Sequence, residues 1–497
     1  MSRSVLTSNR QAPAPGHRAK RWLYLVHRWI GIGTCLLFAI WFLSGLVMIY
    51  VPFPTLTPME RLAGLEEIDW RRVNVQPAAA LAAADIAVPK SMALEMRDGA
   101  PVWQIDSWEG PQRTIAAAAH RPVRPVDAAM ARRVAVRFGR APVQTLERIE
   151  RDQWTVAGGY DSHRPLWKAA LDEPGGTVLY ISSMSGAVVL DTHRQERFWN
   201  WLGSVPHWVY PTVLRQNTAL WRQVVMWVSG PCMAVAITGM WIGILRVRLG
   251  RRRFKDGRVT PYRGWMLWHH VAGLTGGTFL LTWIFSGWLS VDPGRLFASP
   301  GISKAVQIRY AGGAVPPPFT IDRLGQMAAG AKRVELRWIM GEPSLVIERA
   351  AMLAEYLDAT KLAPIRRSEP AILRAAGQLV PGARIAQVEQ LIAPDAYWYE
   401  VGALPLLPVL RVKFDDPART WVHIDPATGA ILGDLDTRRR IYRWLFDLLH
   451  KWDLNGLTLH RPAWDIVLWL LLSSGLVTSI SGIWIGWLRL KRSKPGD

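Results

Sequence analysis

His27 and His269 stand near the starts of two apolar segments, and His207 and His450 stand shortly before two others. Haem iron takes a neutral imidazole nitrogen on each axial face. Paired histidines beside apolar helices therefore point to bis-histidine ligation. An internal repeat, sought before anything else, makes the pairs. Trp41 to Gly45 (WFLSG) recurs as Trp283 to Gly287 (WIFSG), an offset of 242, and Gly239 to Gly243 (GMWIG) recurs as Gly482 to Gly486 (GIWIG), an offset of 243. The same offsets set His27 opposite His269 and His207 opposite His450. A lone histidine here would be an interfacial side chain sharing a hydrogen bond. Ionisable groups among apolar residues are functional candidates by default, and repetition strengthens both pairs.

The elements that must position these rings are long and apolar. Half of the 497 residues are hydrophobic, and 27 are tryptophan. Residues 23–51, 224–245, 265–291 and 466–488 each reach the roughly 20 residues of a membrane-crossing helix. Tryptophans flank these stretches, as suits the membrane interface. The first stretch is too long for a cleaved signal peptide, and Val51-Pro52-Phe53-Pro54 reads as a helix stop. Cys35 and Cys232 fall inside apolar stretches and read as small core residues, with no disulfide framework or thiolate cluster.

The net charge of +21 is concentrated in three short segments. Residues 1–22 hold five basic and no acidic side chains, the loop 246–263 eight and one, and residues 489–497 four and one. This is the positive-inside pattern, which predicts cytoplasmic termini and a cytoplasmic central loop. Anionic lipid accounts for the basic patches without nucleic acid.

The order span, soluble region, span thus occurs twice. The soluble regions, 55–220 and 292–463, face the extracytoplasmic side and mix helical with strand patterns, an α+β composition. Helices are expected at 77–87, 125–138, 321–329 and 371–380. Strands are expected at 102–108, 114–119, 153–157, 177–182, 333–340, 344–348, 397–401, 409–414 and 420–424, from their β-branched and aromatic content. Each region ends in a hairpin, TVLYISSMSGAVVL and TWVHIDPATGAILG, in which Gly186 and Gly429 supply positive φ. Short amphipathic helices follow, RFWNWLGSVPHWVYP and RIYRWLFDLLHKWDLN, suited to the outer membrane surface.

Several of these motifs occur together in one family. LVHRWIGI opens the first span, Ser-Gly closes it, a hairpin of the type IDPATGAIL precedes LLHKWDLNG, and the last span ends in Gly-Ile-Trp. In this the chain resembles the PepSY-associated transmembrane proteins, also described as iron-regulated membrane proteins, over nearly its whole length. The second half fits better, since the first has SSMSG for DPATG and lacks the Asn-Gly of KWDLNG. The resemblance extends to the di-haem ferric-siderophore reductases of the bacterial inner membrane. It implies four transmembrane helices in a duplicated bundle, b-type haems held by histidines, and two PepSY-like domains in the periplasm.

Other residues are secondary candidates. His270 neighbours His269 but its repeat partner is Arg28, which cannot ligate, so His270 is a tuning residue. His460, opposite Asn217, could ligate, meet a propionate or bind substrate. Arg28, Arg222 and Arg461 border the spans and could hold propionates bidentately or anchor to lipid headgroups. His17, His120, His163, His193 and His423 read as decorations of loops and strands. Glycines 31, 33, 273, 276 and 277 suit both close helix approach and space for a porphyrin.

No GxGxxG follows a strand and no Walker or HEXXH motif occurs. The resulting expectation is an inner-membrane protein with two b haems, one on His27 and His269 and one on His207 and His450. It would carry electrons from a cytoplasmic reductase or membrane quinol to a periplasmic ferric chelate. Two other classes stay open: a PepSY binding or regulatory module without redox chemistry, such as one restraining a protease, and a small-solute transporter. Transport predicts buried charges at mid-span, where this chain has almost none.

Overall fold

The computed structural model describes residues 15–492 apart from 120, 124, 314–318, 351–352 and 402. His120 and the outer parts of the two basic tails lie outside the described residues. Four long helices, Pro15–Met48, Thr218–Leu245, Trp265–Leu289 and Ala463–Arg492, make a closed bundle. Each packs chiefly on its two neighbours in that order, and the fourth returns to the first, so the first and third helices sit on one diagonal and the second and fourth on the other. The first, second and fourth are long and apolar enough to cross a membrane. The third has 25 residues, but two histidines, three threonines and four glycines dilute its hydropathy.

Missing side chains let the bundle close. A Cβ on Gly475 would stand 2.2 Å from Phe42, one on Gly277 2.3 Å from Met240, and one on Gly276 2.5 Å from Ser474. Those glycines bring helices together, as small residues do in membrane bundles. Gly33 faces open space, and a Cβ on Gly273 would come no closer than 3.8 Å to a neighbour.

Outside the bundle the two halves repeat one order of elements. The first runs from helix Pro77–Ala84 through β1 (Pro89–Arg97), β2 (Ala100–Ser107), β3 (Arg113–Ala116) and β4 (Arg121–Pro122) to helix Ala128–Gly139. It ends with β5 (Val143–Ile149), β6 (Leu166–Leu171), β7 (Val178–Ser182) and β8 (Val188–Thr192). The second runs from helix Ile321–Met327 through β9 (Ala331–Ile339), β10 (Glu342–Arg349), β11 (Glu355–Asp358) and β12 (Ala363–Pro364) to helix Glu369–Ala376. Then come β13 (Ile385–Leu391), β14 (Val409–Phe414), β15 (Trp421–Ile424) and β16 (Ile431–Leu435).

The two halves are joined by a shared sheet. β1 pairs antiparallel with β9, Leu94 opposite Val334, giving eight strands in the order β12-β11-β10-β9-β1-β2-β3-β4. Alternation sends Met92, Leu94, Trp103, Ile105, Val334 and Leu336 to one face, under helices Pro77–Ala84 and Ile321–Met327. Glu95, Arg97 and Glu335 point the other way yet are buried. Arg97 is bonded to Glu95 and to the carbonyl of Ser185, in the β7–β8 hairpin. The hairpin glycines Gly186 (φ +71) and Gly429 (φ +76) adopt the left-handed backbone that side chains disfavour and sit against Arg97 and Met340.

β5 to β8 and β13 to β16 form two four-stranded sheets, each with an aspartate, a basic residue and an aromatic ring linked at repeat-related places. Lys168 and Tyr180 meet Asp152 in the first. Arg411 joins Asp395 to His423 in the second.

Two expected strands are corrected. Residues 153–157 form a turn closed by Asp152, whose carboxylate accepts from the backbone N–H groups of Trp154 and Thr155. Residues 397–401 form a loop begun by Asp395, which accepts from the N–H groups of Tyr397 and Trp398. In both, the aromatic residues pack or donate outside any ladder: Trp154 lies on Phe53 and Trp201, and Trp398 Nε1 donates to the Leu406 carbonyl. Strands β1 and β6 were not expected, and the edge strands β5 and β13 also escaped, since polar residues interrupt the apolar ones in both and little of them is buried.

Candidate functional site

The histidines come together in two pairs, one within the bundle and one on the connections into it. His27 on the first bundle helix and His269 on the third have ring centroids 6.2 Å apart. His207 and His450, on the connections into the second and fourth helices, have centroids 6.1 Å apart. A metal ion between two opposed ring nitrogens sets the ring centres about 6 Å apart, from a bond of about 2 Å plus about 1 Å to the ring centre on each side. Both pairs have that spacing.

Each ring is held by its Nδ1. His27 Nδ1 lies 3.1 Å from the Val235 carbonyl, and His269 Nδ1 lies 3.0 Å from the Thr478 carbonyl and 3.2 Å from Ser481 Oγ. His207 Nδ1 is 3.1 Å from Ser44 Oγ and 3.2 Å from the Trp41 carbonyl, and His450 Nδ1 is 2.9 Å from Ser286 Oγ. Carbonyls only accept, and both serine hydroxyls already donate to their own helices. Hydrogen-bond logic therefore puts the proton on Nδ1 and leaves the Nε2 lone pair for a metal. No Nε2 of the four bonds a described residue. Support of this kind fixes the orientation of metal-binding imidazoles.

The repeated motifs explain how a ring reaches a helix backbone. Val235 and Thr478 each precede a glycine by four residues, Gly239 and Gly482. A Cβ on Gly239 would lie 2.7 Å from His27 Cε1, and one on Gly482 3.4 Å from His269 Cε1. The missing side chain is the seat of the ring, one turn above the carbonyl it binds. In the outer pair, Gly45 and Gly287 lie 3.5 and 3.8 Å from the Cε1 atoms of His207 and His450 by the same measure. WFLSG and WIFSG thus provide a hydroxyl and a gap to each outer ring. The inner pair takes its rings from the first and third helices and its hydrogen bonds from the second and fourth, whereas the outer rings come from the connecting helices and bond to the first and third. His27 to Ser44 spans the same stretch of helix as His269 to Ser286, which separates the pairs by about 25 Å along the bundle.

A cavity of about 250 Å³ surrounds the inner pair, lined by Gly31, Gly239, Gly273 and Gly482 and by the cations Arg28 and Arg489. Neither arginine pairs with a carboxylate among the described residues. Near the outer pair in the chain, the buried indole Nε1 atoms of Trp41, whose carbonyl meets His207, and of Trp452, two residues after His450, have no partner among the described residues. Free imidazole lone pairs, glycine seats, and cations and N–H donors without partners are a donor set that fits haem at both pairs.

A profile described as the PepSY-associated TM region matches residues 24–335, well over half of the chain. The chain belongs to this family. It is a multi-pass membrane protein. No curated protein matches it. The family match takes in His27, His207 and His269 of this PepSY-associated membrane protein, while His450 and the fourth bundle helix lie beyond it.

The secondary candidates of the PepSY-associated chain fall differently. His270 lines the inner cavity, but both nitrogens are taken, Nδ1 by Thr260 Oγ1 at 2.8 Å and Nε2 by the Gly243 carbonyl at 3.0 Å. It ties the central loop to the second helix and has no lone pair for iron. His460 is exposed, with Nδ1 on the Gly456 carbonyl, and joins neither pair. Arg222 donates to the Val291 and Asp292 carbonyls beyond the third helix, and Arg461 is paired with Asp465.

Sequence reasoning missed the support of His450. Residues Arg443–Leu448 form a π-helix, an expanded turn that recurs at functional sites. The buried Arg443 donates to Asp453 Oδ1 at 2.8 Å and to the Ala396 carbonyl at 2.8 Å, and Tyr399 Oη donates to Asp453 Oδ2. Phe446 stacks on His450 at 5.2 Å. The first half has Gly203 at the place of Phe446, and its helix breaks there. Arg489 was also missed, although the repeat signals it as the partner of Arg246.

Proposed function

We propose that the protein is a bacterial inner-membrane di-haem b protein that passes electrons outward across the membrane to a periplasmic ferric chelate, such as a ferric siderophore. The observation that carries this reading is the metal-compatible spacing of two histidine pairs whose Nε2 atoms have no partner among the described residues. In this reading Trp265–Leu289 is a fourth span, both termini are cytoplasmic, and the soluble regions are two PepSY-like domains in the periplasm.

A bound haem would supply reversible one-electron chemistry at its iron. His27 and His269 would hold one on the cytoplasmic side, and His207 and His450 the other on the periplasmic side. An axial separation of about 25 Å within hydrocarbon of about 30 Å would put the two pairs near opposite faces. Val235, Thr478, Ser44 and Ser286 would orient the rings and raise their basicity by accepting from Nδ1. Arg28 and Arg489 would neutralise propionates of the inner haem. The packed bundle would exclude water, and the soluble domains would cover the outer pair and shape the acceptor site. The electron donor would be a cytoplasmic reductase or membrane quinol.

The test is the visible spectrum of protein purified after expression with ample haem. The expected result is a Soret band and an α-band that sharpens on reduction, with two haems per chain. A colourless protein would sink the reading and leave a non-redox PepSY binding module in its place.

A further inference from the structure

A second group of ligating side chains lies on the soluble region, apart from the histidine pairs. Glu60 sits on helix Pro58–Gly64, which follows the first bundle helix, Asp191 near the end of β8, and His193 just before helix Arg194–Leu202, which leads toward His207. One donor atom from each lies within 4.8 Å of the others. We propose that Glu60, Asp191 and His193 bind a divalent first-row transition metal ion and thereby clamp these three elements together. The site is independent of the haem reading.

Asp191 points to a missing cation. Its side chain is 10% exposed, and no other described residue donates it a hydrogen bond. Its nearest charged partner is His193 Nε2 at 3.7 Å, an imidazole that is a cation only when protonated. An isolated buried carboxylate is costly, so such groups are paired or bind metals. The nearby Arg197 is committed elsewhere. Arg197 donates to the Thr192 and Gly176 carbonyls, and neither Glu60 nor Asp191 forms an ion pair with an arginine or lysine among the described residues.

His193 and Glu60 are already oriented as ligands. His193 Nδ1 is 2.9 Å from Thr177 Oγ1, which leaves Nε2 toward Asp191. A hydroxyl or carbonyl on the far nitrogen is the ordinary support of a metal-bound imidazole. Glu60 Oε2 accepts from the Thr57 backbone N–H at 2.8 Å and from its hydroxyl, and Oε1 bonds no described residue. Metal bonds of about 2.0–2.2 Å to imidazole and carboxylate would require the donors to close by under about 1 Å. Glu60 and His193 are surface side chains that can make that movement. Two carboxylates and one imidazole suit manganese(II), iron(II) or zinc rather than magnesium or calcium, which take oxygen ligands alone. With three protein ligands, water would complete the shell and the ion would exchange. The second half has Ile302 and Asp436 at the places of Glu60 and His193, so the site belongs to the first half alone.

The experiment is titration of the full-length, chelator-stripped protein in detergent with manganese(II), followed by calorimetry and electron paramagnetic resonance. Wild type should take up one ion per chain, with nitrogen coupling from an imidazole in the pulsed spectrum. Asp191→Asn and His193→Gln should each weaken binding at least tenfold, and His193→Gln should abolish the nitrogen coupling. Thr177→Val, which touches no ion, should weaken it by about 10–100-fold. Should Asp191→Asn fail to fold, Glu60→Gln and His193→Gln at the surface carry the same test. Absence of a stoichiometric ion in wild type, or undiminished binding in both His193→Gln and Glu60→Gln, overturns the proposal. Haem content plays no part in the readout, so its failure and that of the haem reading are distinguishable.

Discussion

Ser286 Oγ lies 2.9 Å from His450 Nδ1 and at the same time donates to the Thr282 carbonyl. The serine can therefore only accept from the ring, which sets the tautomer and frees Nε2. Ser44 does the same for His207 at 3.1 Å. Replacing Ser286 by alanine should keep the fold and weaken outer haem retention by about 10–100-fold, the usual effect of removing support behind a ligand. Haem titration checks this. Unchanged retention and unchanged midpoint potential would show that the hydroxyl is packing only.

Each histidine pair should act as a unit. His27→Ala and His450→Ala should each remove about one haem per chain, from different sites, and the double variant should be haem-free. Pyridine haemochromogen assays on purified variants measure this. His270→Ala, which changes a ring with no free nitrogen, should retain both haems. Loss of one haem from His270→Ala alone would reassign the inner ligand.

The glycine seats make a sharper test than the histidines. A Cβ at Gly239 would stand 2.7 Å from His27 Cε1, whereas Gly33 on the first helix and Gly230 on the second meet nothing within 4 Å. Gly239→Ala should displace the ring and lower inner haem occupancy while the outer haem stays, and Gly33→Ala and Gly230→Ala should be silent. Equal haem content in all three variants would falsify the seating role.

The soluble region should lose stability in acid through His423. Its ring accepts from Arg411 Nε at 2.8 Å and is stacked on Trp398. Burial, reinforced by the Arg411 guanidinium and opposed by Asp395, pushes its pKa down to about 4 from 6.5. Between those values the unfolded chain binds a proton that the folded chain refuses. Stability from this group is full above pH 6.5 and falls as pH drops toward 4, by at most about 3 kcal/mol. Tm measured from pH 7.5 to 4.5 should decline less steeply in His423→Gln, which can still accept from Arg411. Parallel slopes would remove His423 as the cause.

Asp453 is fully buried and answers Arg443 and Tyr399. Asp453→Ala leaves the buried guanidinium without its partner, a change that costs about 3–5 kcal/mol. The π-turn that carries His450 should loosen, and the outer haem should be lost before the inner one on heating. Simultaneous loss of both would argue against a local role.

The sequence by itself determined the pairing. Two short motifs and their offsets matched His27 to His269 and His207 to His450, because a duplicated chain keeps register wherever a ring needs a gap and an acceptor. The bundle helices were equally legible, and so were those strands whose burial imposes a pattern on the residues, but not β1, which is buried on both faces. Tyr397 and Trp398 misled for the opposite reason: their strand-like composition serves contacts to Trp444 and Leu406. Only the tertiary structure decided which nitrogen of each ring is free, since backbone carbonyls such as Val235 carry no sequence signal. It also decided that His270 is spent on Thr260 and Gly243, that one sheet fuses the two soluble regions, and that Glu60 meets Asp191 and His193. Each of these depends on groups distant in the chain being brought within hydrogen-bond or ligand range.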